Sequence, residues 1–197
     1  MIELIPETHV APLDLLAIFG RAAPLQVDLG CGDGSFLCEL ASRYPEKNFL
    51  GIERLVGRVA KACLKASTLE NIRVLNVESS YTVRYLLPET SVETFYLLFP
   101  DPWPKRRHQR RRIVTTDFLD SIHRALADGG ILRIATDQLD YFEQIRRITQ
   151  NHSGFAMVDS NASPARTDLP LTKFERHFQT LGAPIYRLAL RKVSPVR

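Results

Sequence analysis

The sequence predicts an α/β domain built on a mostly parallel sheet, with helices on both faces and an antiparallel edge. Three observations predict it. Short apolar runs alternate with longer segments whose apolar residues recur at helical spacing. The apolar runs are nearly continuous rather than alternating, as in strands covered on both sides. And 197 residues, 45% hydrophobic and 24% charged, suffice for one domain with its own core. No repeat, low-complexity tract or linker interrupts the chain, so residues 1–197 read as a single domain.

Taken in order, Leu25 to Leu29 reads as a strand, followed by a glycine-rich turn and a helix over Ser35 to Tyr44. Phe49 to Ile52 is the next strand. Val56 to Leu69 is the next helix, with Val56, Val59, Ala60, Cys63 and Leu64 at helical spacing. Ile72 to Asn76, Val92 to Phe99 and Gly130 to Thr136 read as strands. Between them lie a short helix near Thr82 to Leu87 and a longer one over Thr116 to Ala127, with Asp128-Gly129-Gly130 as its stop. The last third predicts a helix over Tyr141 to Asn151, a strand over Phe155 to Asp159 and a polar loop over Ser160 to Asp168. A short helix at Lys173 to Leu181 and a strand at Ile185 to Lys192 follow, and the two closing strands are placed antiparallel at one edge.

Composition excludes several classes. No run of 18 apolar residues is present, which argues against a membrane span. The first 20 residues lack Lys and Arg but carry Glu3, Glu7 and Asp14, unlike a secretory leader. Cys31, Cys38 and Cys63 form no CxxC pair, and without an export signal they predict reduced thiols in a cytoplasmic protein. The five histidines match no zinc spacing, so no metal is expected.

The formal charge of +4 is unevenly placed. Lys105-Arg106-Arg107-His108-Gln109-Arg110-Arg111-Arg112 holds six basic groups and no acid, while the remainder has 20 basic and 22 acidic residues. A near-neutral globule with one cationic loop is unlike a basic tail or a membrane-coating helix. Six cations without a balancing acid repel one another unless an anion compensates. The bland alternative is a solvated charged loop.

Val27-Asp28-Leu29-Gly30-Cys31-Gly32-Asp33-Gly34 ends the first predicted strand and opens a helix. Glycines 30, 32 and 34 let backbone amides approach a ligand closely, although an ordinary tight turn would use them too. The spacing is GxGxG, not the GxGxxG of dinucleotide folds, and no GK[ST] marks a P-loop. An acid two residues before the first glycine suits a ligand with a positive charge there. Glu53 ends the second strand, 19 residues beyond Gly34, where a carboxylate can hold ribose hydroxyls. Glu78 follows the third strand, near an expected adenine edge. These residues resemble the S-adenosyl-L-methionine (SAM) methyltransferase superfamily, which implies a Rossmann-like class I fold, SAM as cofactor, the methionine end at Asp28 and the ribose at Glu53.

Phe99-Pro100-Asp101-Pro102-Trp103-Pro104 follows the fourth strand, at the carboxyl end where open α/β sheets bind ligands. Three prolines stiffen the turn. A carboxylate and an indole there, beside the basic run, form a seat for a nucleobase on a phosphate chain; core packing is the alternative for Trp103. Asp-Pro-Trp-Pro also departs from the [DN]-P-P-[YFW] of methyltransferases acting on exocyclic amines.

FPDPWPKRRHQRRR, with Ala135-Thr136-Asp137 and Leu171-Thr172-Lys173-Phe174-Glu175, resembles the bacterial tRNA (guanine-N7-)-methyltransferase family in order from about Asp28 to Lys192. That resemblance implies SAM contacts at Asp28, Glu53, Glu78 and Asp101, with Asp101 also the catalytic position. It implies substrate contacts at Lys105, Asp137, Thr172, Lys173, Phe174 and Glu175, and tRNA as partner, methylated at the guanine of position 46 in its variable loop. Phosphate contacts are expected from Arg106, Arg107, Arg110, Arg111 and Arg112, and a monomer or homodimer without membrane or metal. Asp28 stands where Glu is more usual, Glu78 where Asp is common, and the N-terminus lacks the basic extension of some members. Without the resemblance, Asp137 would equally read as a helix cap before Gln138. Thr172 and Glu175 would read as a capping box.

Two other functions fit the same residues: a non-catalytic tRNA-binding protein on this fold, which calorimetry with SAM would expose, and a SAM enzyme acting on another RNA, a small molecule or a protein. The small-molecule and protein readings leave the basic run without a use.

Overall fold

A computed structural model describes residues 2–6, 8, 10–158 and 169–194. The predicted polar loop Ser160 to Asp168, and Asp159 before it, lie outside the described residues. Eight strands form one sheet: β1 (Glu3–Leu4), β2 (Leu25–Leu29), β3 (Asn48–Ile52), β4 (Ile72–Leu75), β5 (Val92–Leu98), β6 (Leu126–Thr136), β7 (Phe155–Val158) and β8 (Tyr186–Lys192), in the order β1-β4-β3-β2-β5-β6-β8-β7. Every pair from β1 to β6 is parallel, and β6–β8 and β8–β7 are antiparallel. The predicted architecture is therefore observed, with two antiparallel strands at one edge.

The continuous apolar strands are buried on both faces. Leu25, Val27, Leu29, Leu50, Ile52 and Leu75 point into one core, where Phe118, Leu119 and Ile122 of α5 (Thr116–Ala125) and Tyr141 and Ile145 of α6 (Leu139–Gln150) cover them. Phe49, Ile72 and Val74 point the other way, onto Phe36, Leu37 and Leu40 of α2 (Ser35–Arg43) and Val59 and Ala62 of α3 (Val56–Lys65). Each such side chain contributes about 1.5–3 kcal/mol by leaving water, so the two sandwiched layers hold the sheet as a platform for the loops at its carboxyl edge.

Several boundaries differ from expectation. The N-terminal segment adds β1 on the far edge, paired with β4, and α1 (Leu15–Phe19), capped by Asp14, whose carboxylate accepts from the Ala17 amide. Both are too short to carry a periodic signal. The short helix expected at Thr82 is α4 (Ser79–Tyr81) running into a π-helical turn over Thr82–Leu86. Asp128-Gly129-Gly130 is not a helix stop. Helix α5 ends at Ala125, and the three residues bulge within β6, between the pairs Val92–Leu126 and Thr94–Ile131, with Gly129 at φ 72°. A glycine that terminates helices and one that allows a bulge satisfy the same need for positive φ, so sequence cannot separate them. The basic run, expected as a loop, is a 3₁₀ helix over Arg106–Arg111. The chain closes with α7 (Lys173–Thr180) before β8.

Candidate active site

The sheet order reverses between β2 and β5: from β2 the chain steps outward to β3 and β4, and from β5 to β6 on the other side. Crossover loops part at such a switch point and leave a crevice at the carboxyl ends of the strands. Here the crevice is a cleft of about 650 Å³, and Gly30, Glu53, Arg54, Asp101, Trp103 and Phe174 are among the residues lining it. Glycine loop, ribose-side acid, catalytic candidate and α7 aromatic, far apart in sequence, thus share one cavity.

Gly30, Gly32 and Gly34 all have positive φ (81°, 57° and 74°). A Cβ on Gly30 or Gly32 would meet no atom within 4 Å, whereas one on Gly34 would stand 2.9 Å from Ala62 Cβ. The first two glycines serve loop shape; Gly34 also lets α2 pack against α3. Glu53 is 4% exposed, and its carboxylate accepts from the amides of Gly32 (3.1 Å) and Leu55 (2.9 Å), with Arg58 Nη1 at 3.8 Å. Asp28 is equally buried. Burial, then the neighbouring Glu53 charge, pushes its carboxyl up to about 7, and among the described residues no cation or hydrogen bond offsets them. A buried acid with nothing positive beside it suits a ligand that brings the cation. Glu78 also lines the cleft, but its carboxylate caps α4, accepting from the Ser80 (3.0 Å) and Tyr81 (2.8 Å) amides.

The turn after β5 is tighter than its prolines alone imply. Phe99 and Trp103 sit at φ 56° and 42°, a region that costs non-glycine residues on the order of 1–3 kcal/mol. The Phe99 amide donates to the Ala135 carbonyl (2.7 Å), and its ring packs on Phe174 and Phe178 at 5.7 and 5.5 Å. Asp101 emerges into the cleft, exposed, with Arg54 Nη2 at 4.0 Å. Trp103 is half-buried, edge-on to His108, with the Arg111 guanidinium 4.9 Å from the ring centroid. It is a cleft wall rather than core.

The basic run does not act as one block. Lys105, Arg106, Arg107, Arg110 and Arg111 are exposed, whereas Arg112, expected to hold phosphate, is buried at 4% exposure. Its Nε donates to the Pro102 carbonyl (2.7 Å), Nη1 to Gln144 and Nη2 to Asp140, and the guanidinium lies over the Tyr141 ring. Arg112 is therefore the clamp that fastens the turn after β5 to α6. Its guanidinium is thus engaged by four protein partners.

Helix α7 contributes differently from expectation as well. Thr172 and Glu175 form the capping box read from the sequence. Glu175 accepts from the Thr172 amide (2.9 Å) on one oxygen and from Arg187 Nη2 (2.8 Å) on the other, so both are engaged away from Asp101. Lys173 bonds to Asp33 of the glycine loop, as does Lys65. Burial alone would raise the Asp33 carboxyl, but Lys173, Lys65 and Ser35 hold it well below the usual range. Phe174 alone of the four projects into the cleft. Asp137 closes β6, beside the end of β5, and accepts from Gln138 Nε2 (2.5 Å). It is not the cap of α6, whose N-cap is Gln138. Arg54 and Arg58 are cleft cations that sequence reasoning missed; their only signal was adjacency to Glu53.

Solved structures share this fold. The antibiotic-resistance methyltransferase Kmr aligns over 98% of this chain and 96% of its own with a TM-score of 0.64 and 17% identity, and the 16S rRNA methyltransferase KamB over 90% and 92% with 0.66 and 15%. At these identities the likeness establishes a shared fold. A family model described as "Putative methyltransferase" matches residues 22–188. The tRNA (guanine-N(7)-)-methyltransferases of Nitrosococcus oceani and Halorhodospira halophila are 37% and 39% identical to the chain, over 92% and 95% of it and 77% and 82% of their own lengths. The chain belongs to the tRNA (guanine-N7-)-methyltransferase family.

The residues here fit SAM: its ammonium or sulfonium would supply a positive charge toward Asp28, and its ribose hydroxyls would donate to the cleft-lining carboxylate of Glu53. Asp28→Asn is accordingly expected to weaken SAM binding yet raise stability at pH 8 by a few kcal/mol. A carboxyl raised from 3.8 to about 7 favours the fold fully below about pH 4 and loses that contribution as pH rises through 7. The difference in melting temperature between variant and wild type should therefore grow between pH 5 and 8. A pH-independent difference would show that Asp28 is ionised in the fold throughout.

Among the described residues, no group of three or more His, Cys, Asp or Glu side chains is placed to hold a metal, and no helix is long and apolar enough to cross a membrane.

Proposed function

We propose that the chain methylates N7 of a guanine in tRNA, and that the target is the variable-loop guanine at position 46. The observation that carries the reading is the cleft itself: Glu53, the rim carboxylate Asp101 and the Trp103–Arg111 wall line it at the switch point, with Asp28 buried on the adjoining β2 strand and four further exposed cations on the next segment. A guanine ring fits against the indole, and the strand that carries it fits the cations.

The cofactor supplies an electrophilic methyl on a sulfonium. Guanine N7 holds an in-plane lone pair, so no base need remove a proton first, and the protein acts mainly by alignment. Asp28 fixes the cofactor's methionine end and Glu53 its ribose. Asp101, steadied by Arg54, accepts hydrogen bonds from the guanine edge and offsets the positive charge that develops on the purine. Asp137, at the neighbouring strand end, is a second acceptor for that edge. With both Glu175 oxygens engaged, Glu175 fixes the α7 entrance that presents Phe174, instead of reading the base. Lys105, Arg106, Arg107 and Arg110 hold phosphates and contribute affinity more than base choice.

Methylation of unmodified tRNA with labelled SAM, followed by mapping of the product base, tests the reading; label on any atom but guanine N7 defeats it. The phosphate role has its own test. Changing Arg106, Arg107 and Arg110 together to Ala should weaken tRNA binding and flatten the log–log salt slope by about two to three units. An unchanged slope removes those arginines from the RNA interface.

A further inference from the structure

Beside the cleft lies a second groove of about 320 Å³, and the two share a wall of Glu78, Arg111 and Ile113. Arg84 lines its far side, on the π-helical turn Thr82–Leu86. Thr82, Val83 and Leu86 of that turn point into the core, which leaves Arg84 and Tyr85 facing outward, Tyr85 46% exposed. The turn is pinned from below. The Leu87 amide donates to the Thr82 carbonyl (3.0 Å), and Arg124 of α5 donates to the carbonyls of Val83 (2.8 Å), Leu87 (2.9 Å) and Arg84 (3.2 Å). On this rigid step the Arg84 guanidinium lies 5.3 Å from the Tyr85 ring centroid, and Tyr81 packs against Tyr85 at 4.9 Å.

Two arginines that line the groove are each backed by an aromatic ring: Arg111 by Trp103, which lines the neighbouring cleft, and Arg84 by the exposed Tyr85. Two acids also line it, Glu78 and Asp117. They bring its charge close to balance, which disfavours a run of phosphates inside and favours bases, whose N–H groups carboxylates accept and whose faces stack on arginine and aromatic planes. π-Turns are rare and concentrate at functional sites. The outward aromatic also adds little to the core.

We propose that Arg84 and Tyr85 form a second nucleotide seat, which stacks an unpaired base near the target guanine along the bound RNA. The inference rests on the tRNA-methylating reading above and adds a surface to it. A base held there fixes the direction in which the strand crosses the cleft, so the seat acts on RNA binding and leaves the chemical step alone.

Tyr85→Ala is the central test because it changes no charge. It should raise the Kd and KM for tRNA about tenfold, the scale of one lost base–aromatic stack. The value of kcat at saturating RNA should stay within about twofold, as for binding shared equally by ground and transition states. SAM affinity and the salt slope should not move. Tyr85→Phe, which keeps the ring, should behave as wild type. Arg84→Ala should weaken tRNA binding and lower the salt slope by at most about one unit. Melting curves identify a variant that has lost its fold, in which case Tyr85→Phe and Arg84→Ala still decide. Wild-type tRNA affinity in Tyr85→Ala, or in Arg84→Ala where only that variant folds, overturns the seat, as does equal loss in a folded Tyr85→Phe. If wild type places no methyl on tRNA guanine, the underlying reading fails instead, so the two failures are distinguishable.

Discussion

Asp101→Asn should lower kcat for guanine methylation by about 10²–10³-fold, the usual cost of removing one preorganised group aimed at developing charge. The substitution keeps the shape of the side chain, removes its charge and turns one of its two acceptor oxygens into a donating NH2. In the free chain the carboxylate is exposed, 4.0 Å from Arg54, and water screens it. A base seated against Trp103 covers it, and catalytic hydrogen bonds often tighten only in the loaded complex. The reaction turns a neutral purine cationic, so a carboxylate in a covered cleft lowers the barrier more than it strengthens binding. The expected signature is a fall in kcat with tRNA KM little changed. Asp137→Asn, one strand end away, should cost less. Full turnover with normal SAM binding in Asp101→Asn would remove it from the catalytic position.

The second large effect is on stability. Arg112→Ala should destabilise the fold by about 2–4 kcal/mol, since it deletes three part-buried hydrogen bonds of a buried guanidinium and leaves a cavity over Tyr141. Its partner Asp140 is half exposed and returns to water, which keeps the loss below that of a fully buried pair. A domain of this size holds only about 5–15 kcal/mol in total, so a lowered denaturation midpoint at unchanged slope should be evident. Arg112→Lys retains the charge but not the planar fork that reaches Pro102, Gln144 and Asp140 together, and should recover only part of the loss. Because Arg112 Nε holds the Pro102 carbonyl, the catalytic turn loosens and kcat falls in the same variant. A folded Arg112→Ala protein of wild-type stability whose salt slope dropped by one would restore Arg112 to the phosphate interface.

Arg112 also shows where sequence reasoning stops. Within Lys105 to Arg112 every cation looks alike, and the case for phosphate binding rested on their number and the missing acids. Arg112 finds its acid 28 residues away, in α6, and Arg111 turns onto Trp103. Lys173 and Glu175 show the same limit on α7. The family resemblance marked both as substrate contacts, and both are engaged by protein partners, Asp33 of the glycine loop and Arg187 of β8. Even the capping box at Thr172, which was legible because its partners lie three residues apart, said nothing of where the helix would dock.

What the sequence determined by itself is what local spacing can encode. Continuous apolar runs and helical periodicity define the layered sheet, and GxGxG with strand-end acids marks the expected cofactor side, because both rest on residue type and short-range backbone constraints. The tertiary structure alone decided which charged groups remain free for a ligand. A charge is settled by the partners that reach it and by the water it loses, and those depend on elements brought together from distant parts of the chain.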